Sequence, residues 1–245
     1  MKKFLEVLPD KETLIQRSLE VVVQKIRLAI EERSVCTLSL AGGSTPKPLY
    51  EALAEQTLPW EKLQVFWGDE RYVPVSSPQS NQRMVRQAWL DRVSIPEANV
   101  HPMPTGAGDP SEDAATYEAK LRQVFGTTAI PTFDIVLLGV GDDGHTASLF
   151  PHTDALKVRD RLVTVGKKDG EPRLSFTVPL INSARCVIFL AAGENKQQAL
   201  AQIHGAAADA MTYPARLIQP QGELWWLLDR GAGAEFIQKA GAAYV

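Results

Sequence analysis

The run Phe133-Asp134-Ile135-Val136-Leu137-Leu138, with the stretch Gly139-Val140-Gly141-Asp142-Asp143-Gly144-His145 that follows it, limits the folds open to this chain more than any other feature. The run is rich in branched apolar residues and has little polar interruption. It fits a strand buried on both faces of a parallel sheet. It stops abruptly at three glycines, two aspartates and a histidine. In open α/β sheets ligands sit just beyond the carboxyl ends of the strands. Imidazole titrates near neutral pH and a neighbouring carboxylate can orient it, so this cluster has the makings of a proton-transfer site. Gly-Asp-Asp-Gly alone would also suit an ordinary turn; the histidine after a buried strand tips the reading toward function. Residues 145–149 are expected to open a short helix.

The rest of the chain repeats the order of strand, bend and helix. Residues 4–8 suit a short edge strand. Asp10 is placed to cap a helix from Lys11 to Glu32, in which Leu14, Leu19, Val22, Val23, Ile26 and Ile30 recur at near-helical spacing. Val35–Leu40 reads as a strand, and Gly42-Gly43-Ser44-Thr45-Pro46 leads into a helix reaching Ala54. A glycine bend with hydroxyls at a helix start can cradle phosphate. It is neither GxxxxGK[ST] nor GxGxxG, and plain Ser/Thr capping would look the same. Leu63–Trp67 is the next strand, with Gly68-Asp69-Glu70-Arg71 at its end as loop charges. Ser80 caps a helix to Leu90, residues 94–110 read as surface loop, and Asp113–Phe125 is helical. Strands follow at 162–165, 173–178, 186–190, 216–218 and 224–228. A helix from Lys196 to His204 and an Ala/Gly-rich closing helix complete the set. The alternation indicates an α/β chain: a doubly wound, mostly parallel, Rossmann-like sheet with helices on both faces. No repeat or linker divides it, so residues 1–245 are expected to form one domain.

Composition narrows the partners. The 245 residues are 44% hydrophobic with a formal net charge of −3, which offers no basic field for nucleic acid. No apolar run reaches the ~18 residues of a membrane helix. The amino terminus lacks the apolar core of a signal peptide. Cys36 and Cys186 sit in apolar strands without CxxC spacing, which fits reduced thiols and a cytoplasmic setting. The histidine spacing is not that of HExxH, and no metal or organic cofactor is expected.

Four segments therefore stand at strand ends: 41–46, 68–71, 139–151 and 193–196. Gly42-Gly43-Ser44-Thr45-Pro46, Trp67-Gly68-Asp69-Glu70-Arg71 and Gly139–Pro151 together resemble the 6-phosphogluconolactonase family. Its superfamily also contains glucosamine-6-phosphate isomerase/deaminase. The resemblance covers nearly the whole chain and implies hydrolysis of 6-phosphoglucono-δ-lactone in the oxidative pentose phosphate pathway, without metal or cofactor. It implies His145 as general base. It implies contacts to a phosphorylated sugar lactone from Gly42, Gly43, Ser44, Thr45 and Asp69. It places Arg71 at the site and turns Arg173 and Lys196 toward the phosphate, Lys196 having the closer strand-end context. Asp143 is left two roles, orienting His145 or positioning substrate. The developing oxyanion is left to Arg71 or to backbone N–H groups of a glycine loop. A monomer or weak homodimer is expected.

Two rivals remain at this stage. The deaminases carry a Glu that pairs with the histidine for sugar-ring opening, where this chain has Phe150. An apolar ring cannot relay a proton, which argues for the lactonase. A non-catalytic sugar-phosphate sensor would not need both Asp143 and His145. Gly-x-Ser-x-Gly is absent, so a covalent serine route is not indicated.

Overall fold

The computed structural model describes residues 1–240. The element order is β1 (Lys2–Leu8), α1 (Lys11–Arg33), β2 (Cys36–Leu40), α2 (Lys47–Ala54), β3 (Leu63–Trp67), β4 (Asp69–Arg71), α3 (Asn81–Ala88), β5 (Val100–His101) and α4 (Pro110–Phe125). The order continues with β6 (Ile135–Gly139), β7 (Val163–Lys168), β8 (Glu171–Phe176), α5 (Val178–Asn182), β9 (Cys186–Ala191), α6 (Gln197–His204), β10 (Glu223–Asp229) and α7 (Arg230–Ala240). Seven strands pair in the order β1-β10-β9-β6-β2-β3-β5, every pair parallel. The three remaining strands form a separate antiparallel sheet, β4-β8-β7.

Right-handed crossovers decide which face each helix covers. From β2 the chain steps to β3 and β5, and from β6 it steps the other way to β9 and β10. The helices of the two excursions therefore lie on opposite faces, with α2 packed against both α1 and α3 along one and α6 against α7 on the other. β2 and β6 are neighbours, so the chain parts between them. Their pairing covers only Leu38 with Ile135 and Ser39 with Val136, whereas β6 and β9 pair over five positions. Beyond Ser39 and Val136 the two strands separate and a crevice opens.

The interior bears out the apolar runs. Cys36–Leu40 and Cys186–Ala191 are buried throughout, and both cysteines are free thiols. Asp10 caps α1 through the Thr13 N–H at 2.8 Å, and Ser80 caps α3 through the Arg83 N–H at 3.1 Å, both as expected. Two buried tyrosines secure backbone groups near the carboxyl ends of strands. The Tyr50 hydroxyl donates to the Ala41 carbonyl at 2.7 Å and accepts the Ala41 N–H at 3.0 Å. The Tyr117 hydroxyl accepts the Trp67 N–H at 3.1 Å and donates to the His101 carbonyl at 2.9 Å. Among the described residues no helix is long and apolar enough to cross a membrane.

Four expectations are corrected. Residues 145–149 form no helix: Ala147 takes φ +47°, and Ser148 spends its N–H on the Ser175 hydroxyl at 3.2 Å instead of on a helical carbonyl. Residues 216–218 are not a strand but the end of a 3₁₀ turn, Pro214–Leu217, held by the Ala215 N–H on the Gly144 carbonyl at 3.0 Å. Residues 94–110 are not all loop, because β5 lies within them and adds an edge to the sheet. Asp69–Arg71 is not loop but strand, pairing with β8. The closing helix runs from Arg230 to Ala240, and its expected continuation lies outside the described residues.

Tyr117→Phe leaves the Trp67 N–H without its acceptor and the His101 carbonyl without a donor in a dry interior. It should cost about 1–3 kcal/mol of unfolding free energy, read as a lower denaturant midpoint at unchanged m-value.

Candidate active site

A cleft of about 330 Å³ lies over the crevice between β2 and β6. Its walls include Gly42–Thr45 after β2, Asp69 and Arg71 on β4, Gly141, Asp142 and His145 after β6, Arg173 on β8, and Lys196 after β9. The site loop after β6 is strapped to both sheets. The Thr146 hydroxyl donates to the Gly139 carbonyl at 2.9 Å, and the Ser148 hydroxyl donates to Asp69 Oδ2 at 2.7 Å.

Within that loop Asp143 and His145 are one unit. Asp143 Oδ1 lies 3.0 Å from the His145 backbone N and 2.5 Å from its ring Nδ1. Burial works to raise the Asp143 carboxyl, but these contacts and the imidazole charge outweigh it and hold it down to about 2. An ionised carboxylate can only accept, so the hydrogen of the neutral imidazole belongs on Nδ1 and the lone pair on Nε2. Two glycines make room. A Cβ on Gly141 would stand 2.0 Å from His145 Nδ1. Gly144 has φ +79°, and a Cβ there would stand 2.7 Å from the Tyr213 ring. Phe150 packs on the other side of the imidazole, ring centroids 4.5 Å apart.

The cations divide into paired and unpaired. Lys196 donates to Asp142 Oδ1, which also accepts from Asn195 Nδ2 at 3.1 Å. The Lys196 bond is the main reason the Asp142 carboxyl sits below its ordinary value. Arg71 and Arg173 are directly opposite each other on β4 and β8. Neither makes an ion pair among the described residues. Arg71 Nη1 donates to the Gln79 carbonyl at 2.6 Å, while Arg173 Nε is buried without a partner. Burial first, and the charge of Arg71 next, pull Arg173 below its ordinary value.

The expected residues thus line one cleft except Asp143, which stands behind it on the His145 ring. Glu70 is different: it is buried and caps α3, accepting the N–H groups of Asn81 at 2.8 Å and Gln82 at 2.7 Å. Asn81, which the sequence marks only as part of the Ser80-Asn81 helix cap, also lines the cleft. Its side chain occupies the space a Cβ on Gly42 would need, and its amide donates to the Asp69 carbonyl at 3.0 Å. The sequence signal was present, since Asn81 follows the Ser80 cap, but a capping position does not reveal what lies above it.

The family model for glucosamine-6-phosphate isomerases/6-phosphogluconolactonase matches residues 9–226. The chain belongs to this family. It is 64% identical over 231 residues to a 6-phosphogluconolactonase of a Synechocystis species, covering 94% of this chain and 96% of that one. A 6-phosphogluconolactonase of a Nostoc species is 58% identical, covering 96% of this chain and 99% of the relative. The solved structure of the 6-phosphogluconolactonase of Trypanosoma brucei superposes with a TM-score of 0.86 at 31% identity, covering 96% and 98% of the two chains.

Two outcomes follow from the turn. Gly141→Ala pushes a methyl into the imidazole and should abolish turnover while the far-ultraviolet circular dichroism stays native. The Asp143–His145 contact lowers the folded carboxyl pKa from 3.8 to about 2. Its stabilisation is therefore complete above the unfolded value and is lost as pH falls toward the folded one. Thermal melts should show wild type above Asp143→Asn from pH 5 to 8, the two curves converging as pH approaches 2.

Proposed function

We propose that His145, Asp143 and the cations of this cleft carry out the hydrolysis of 6-phospho-D-glucono-1,5-lactone to 6-phospho-D-gluconate. That is the lactone-opening step of the oxidative pentose phosphate pathway, and it is the activity of the family at high identity along nearly the whole chain. The observation that carries the residue assignment is a juxtaposition. An imidazole with its acceptor nitrogen free faces the same cleft as two arginines that lack carboxylate partners.

The reaction needs a stronger nucleophile than water and a fixed carbonyl. His145 Nε2 takes a proton as water adds to C1. The tetrahedral intermediate collapses by breaking the bond from C1 to the ring oxygen, and the proton on Nε2 passes to that oxygen. The product acid then ionises. Asp143 holds the ring in the Nδ1–H tautomer and balances the transient imidazolium, so its role is orientation of His145. Arg71 and Arg173 take the phosphate as charge-assisted partners. This moves Arg71 from the oxyanion to the anchor. Lys196, engaged by Asp142, becomes a secondary contact that a dianion can compete for. Gly42–Thr45 and Asp69 line the remainder and face the sugar hydroxyls. Phosphate binding away from C1 holds the lactone against His145 and so acts through proximity.

Phe150 bears on the isomerase/deaminase reading. Ring opening of a hemiacetal calls for a second proton-relaying group beside the imidazole, and the residue in ring contact with it is a phenylalanine.

His145→Ala should lower kcat by roughly two to four powers of ten with little change in melting temperature. The measurement is a lactone assay corrected for spontaneous hydrolysis. A corrected rate near wild type would remove His145 from the mechanism.

A further inference from the structure

We propose that Lys168, at the end of β7, is a further substrate-binding residue that sets the preference for phosphorylated over unphosphorylated lactone. The inference rests on reading the Arg71–Arg173 face as the phosphate anchor.

The register of the small sheet is the first support. Directly opposed residues of an antiparallel pair share a face. Asp69 opposes Ser175 and Arg71 opposes Arg173 across β4 and β8. Thr164 opposes Ser175, Gly166 opposes Arg173 and Lys168 opposes Glu171 across β7 and β8. With side chains alternating along each strand, Asp69, Arg71, Arg173 and Lys168 fall on one face. That is the face on which the site loop lies, because a Cβ on Gly166 would stand 2.2 Å from the Ser148 carbonyl oxygen. A glycine opposite Arg173 therefore lets the loop come down onto the sheet, and Phe150 is brought under the cations with it.

The position of the ammonium is the second support. Lys168 Nζ lies 5.8 Å from the Phe150 ring centroid, and the Arg173 guanidinium carbon lies 5.9 Å from the same ring. Lys168 lines the cleft with His145 and Arg173. Its charge is among those that lower the Asp143 carboxyl, which sets it within electrostatic reach of the catalytic turn. The Phe150 ring touches His145 on one side and underlies both cations, so it forms a floor between the reacting end and the anchor. A ring face attracts a cation without neutralising it.

The charge balance is the third. Lys168, Arg71 and Arg173 make no ion pairs among the described residues, and Glu171, the cross-strand neighbour of Lys168, makes none with it. Asp69 and Glu171 share this face, and Asp69, Asp169 and Glu70 offset part of the charge at Arg173, but none of them ion-pairs with the three cations among the described residues, which leaves their donors available to an anion. The turn between β7 and β8, Asp169 at φ +53° and Gly170 at φ +84°, has the left-handed pair of a tight hairpin. Lys168 is thus held by a fixed register and is not on a wandering loop.

The test compares wild type, Lys168→Ala, Lys168→Arg and Arg173→Ala on 6-phosphogluconolactone and on unphosphorylated gluconolactone, with spontaneous hydrolysis subtracted. The ratio of kcat/KM for the two substrates should fall roughly tenfold in Lys168→Ala, as for one partly screened charge-assisted contact. Lys168→Arg should keep most of the ratio, and the melting temperatures should match, since the side chain is exposed. A ratio that holds in Lys168→Ala but falls in Arg173→Ala would overturn the proposal and leave the anchor standing. Equal losses on both lactones in Lys168→Ala would also overturn it. A ratio unchanged in both alanine variants would overturn the anchor and the proposal together.

Discussion

The parting of β2 and β6 is the constraint on which the rest of this structure depends. Two adjacent parallel strands send their crossovers to opposite faces, so neither following loop can close over the gap. Pairing ends after two residues, and the backbone beyond needs other partners. The molecule supplies them with hydroxyls: Tyr50 on the Ala41 N–H and carbonyl, and Thr146 on the Gly139 carbonyl. The crevice is thus kept open by interactions that also aim the loops lining it.

How much of this was legible in the sequence depends on how local each cause is. The runs 133–138 and 186–190 are buried on both faces and read as strands from their own residues. Asp10 and Ser80 announce helix starts because a cap bonds within three residues. The small sheet was harder. Its strand Asp69–Arg71 is three residues long and charged, so nothing local marks it; only the pairing with β8 makes it a strand. The same holds for Val100–His101, two residues that pair with β3. The site loop misled in the other direction, because its residues tolerate a helix and long-range bonds from Ser148 forbid it.

Within the site, residue types predicted membership better than role. His145, the glycine loop and the basic residues all line one cleft, and Asp143 touches it through the His145 ring. Which cation is engaged and which is free could not be read from spacing, since Lys196 meets Asp142 across 54 positions of chain. Lys168 lies beyond the apolar run 162–165, where nothing local marks a strand or the face it presents. The alternation Thr164, Gly166, Lys168 against Glu171, Arg173, Ser175 held the information, but only once a hairpin was assumed at Asp169-Gly170.

The chain passes from the large sheet to the small one through Gly68, whose N–H donates to the Leu40 carbonyl at 2.9 Å and whose carbonyl accepts the Phe176 N–H at 2.8 Å. This corner is the first of several crossings between the two sheets, which carry different parts of the cleft. The His145 turn follows a strand of the parallel sheet, and three of the four cleft cations among the described residues, Arg71, Lys168 and Arg173, sit on the antiparallel one. Because Asp69 and Ser175 of the small sheet hold the loop that carries His145, only positions of that sheet outside these contacts, such as Lys168, are free to vary without moving the loop.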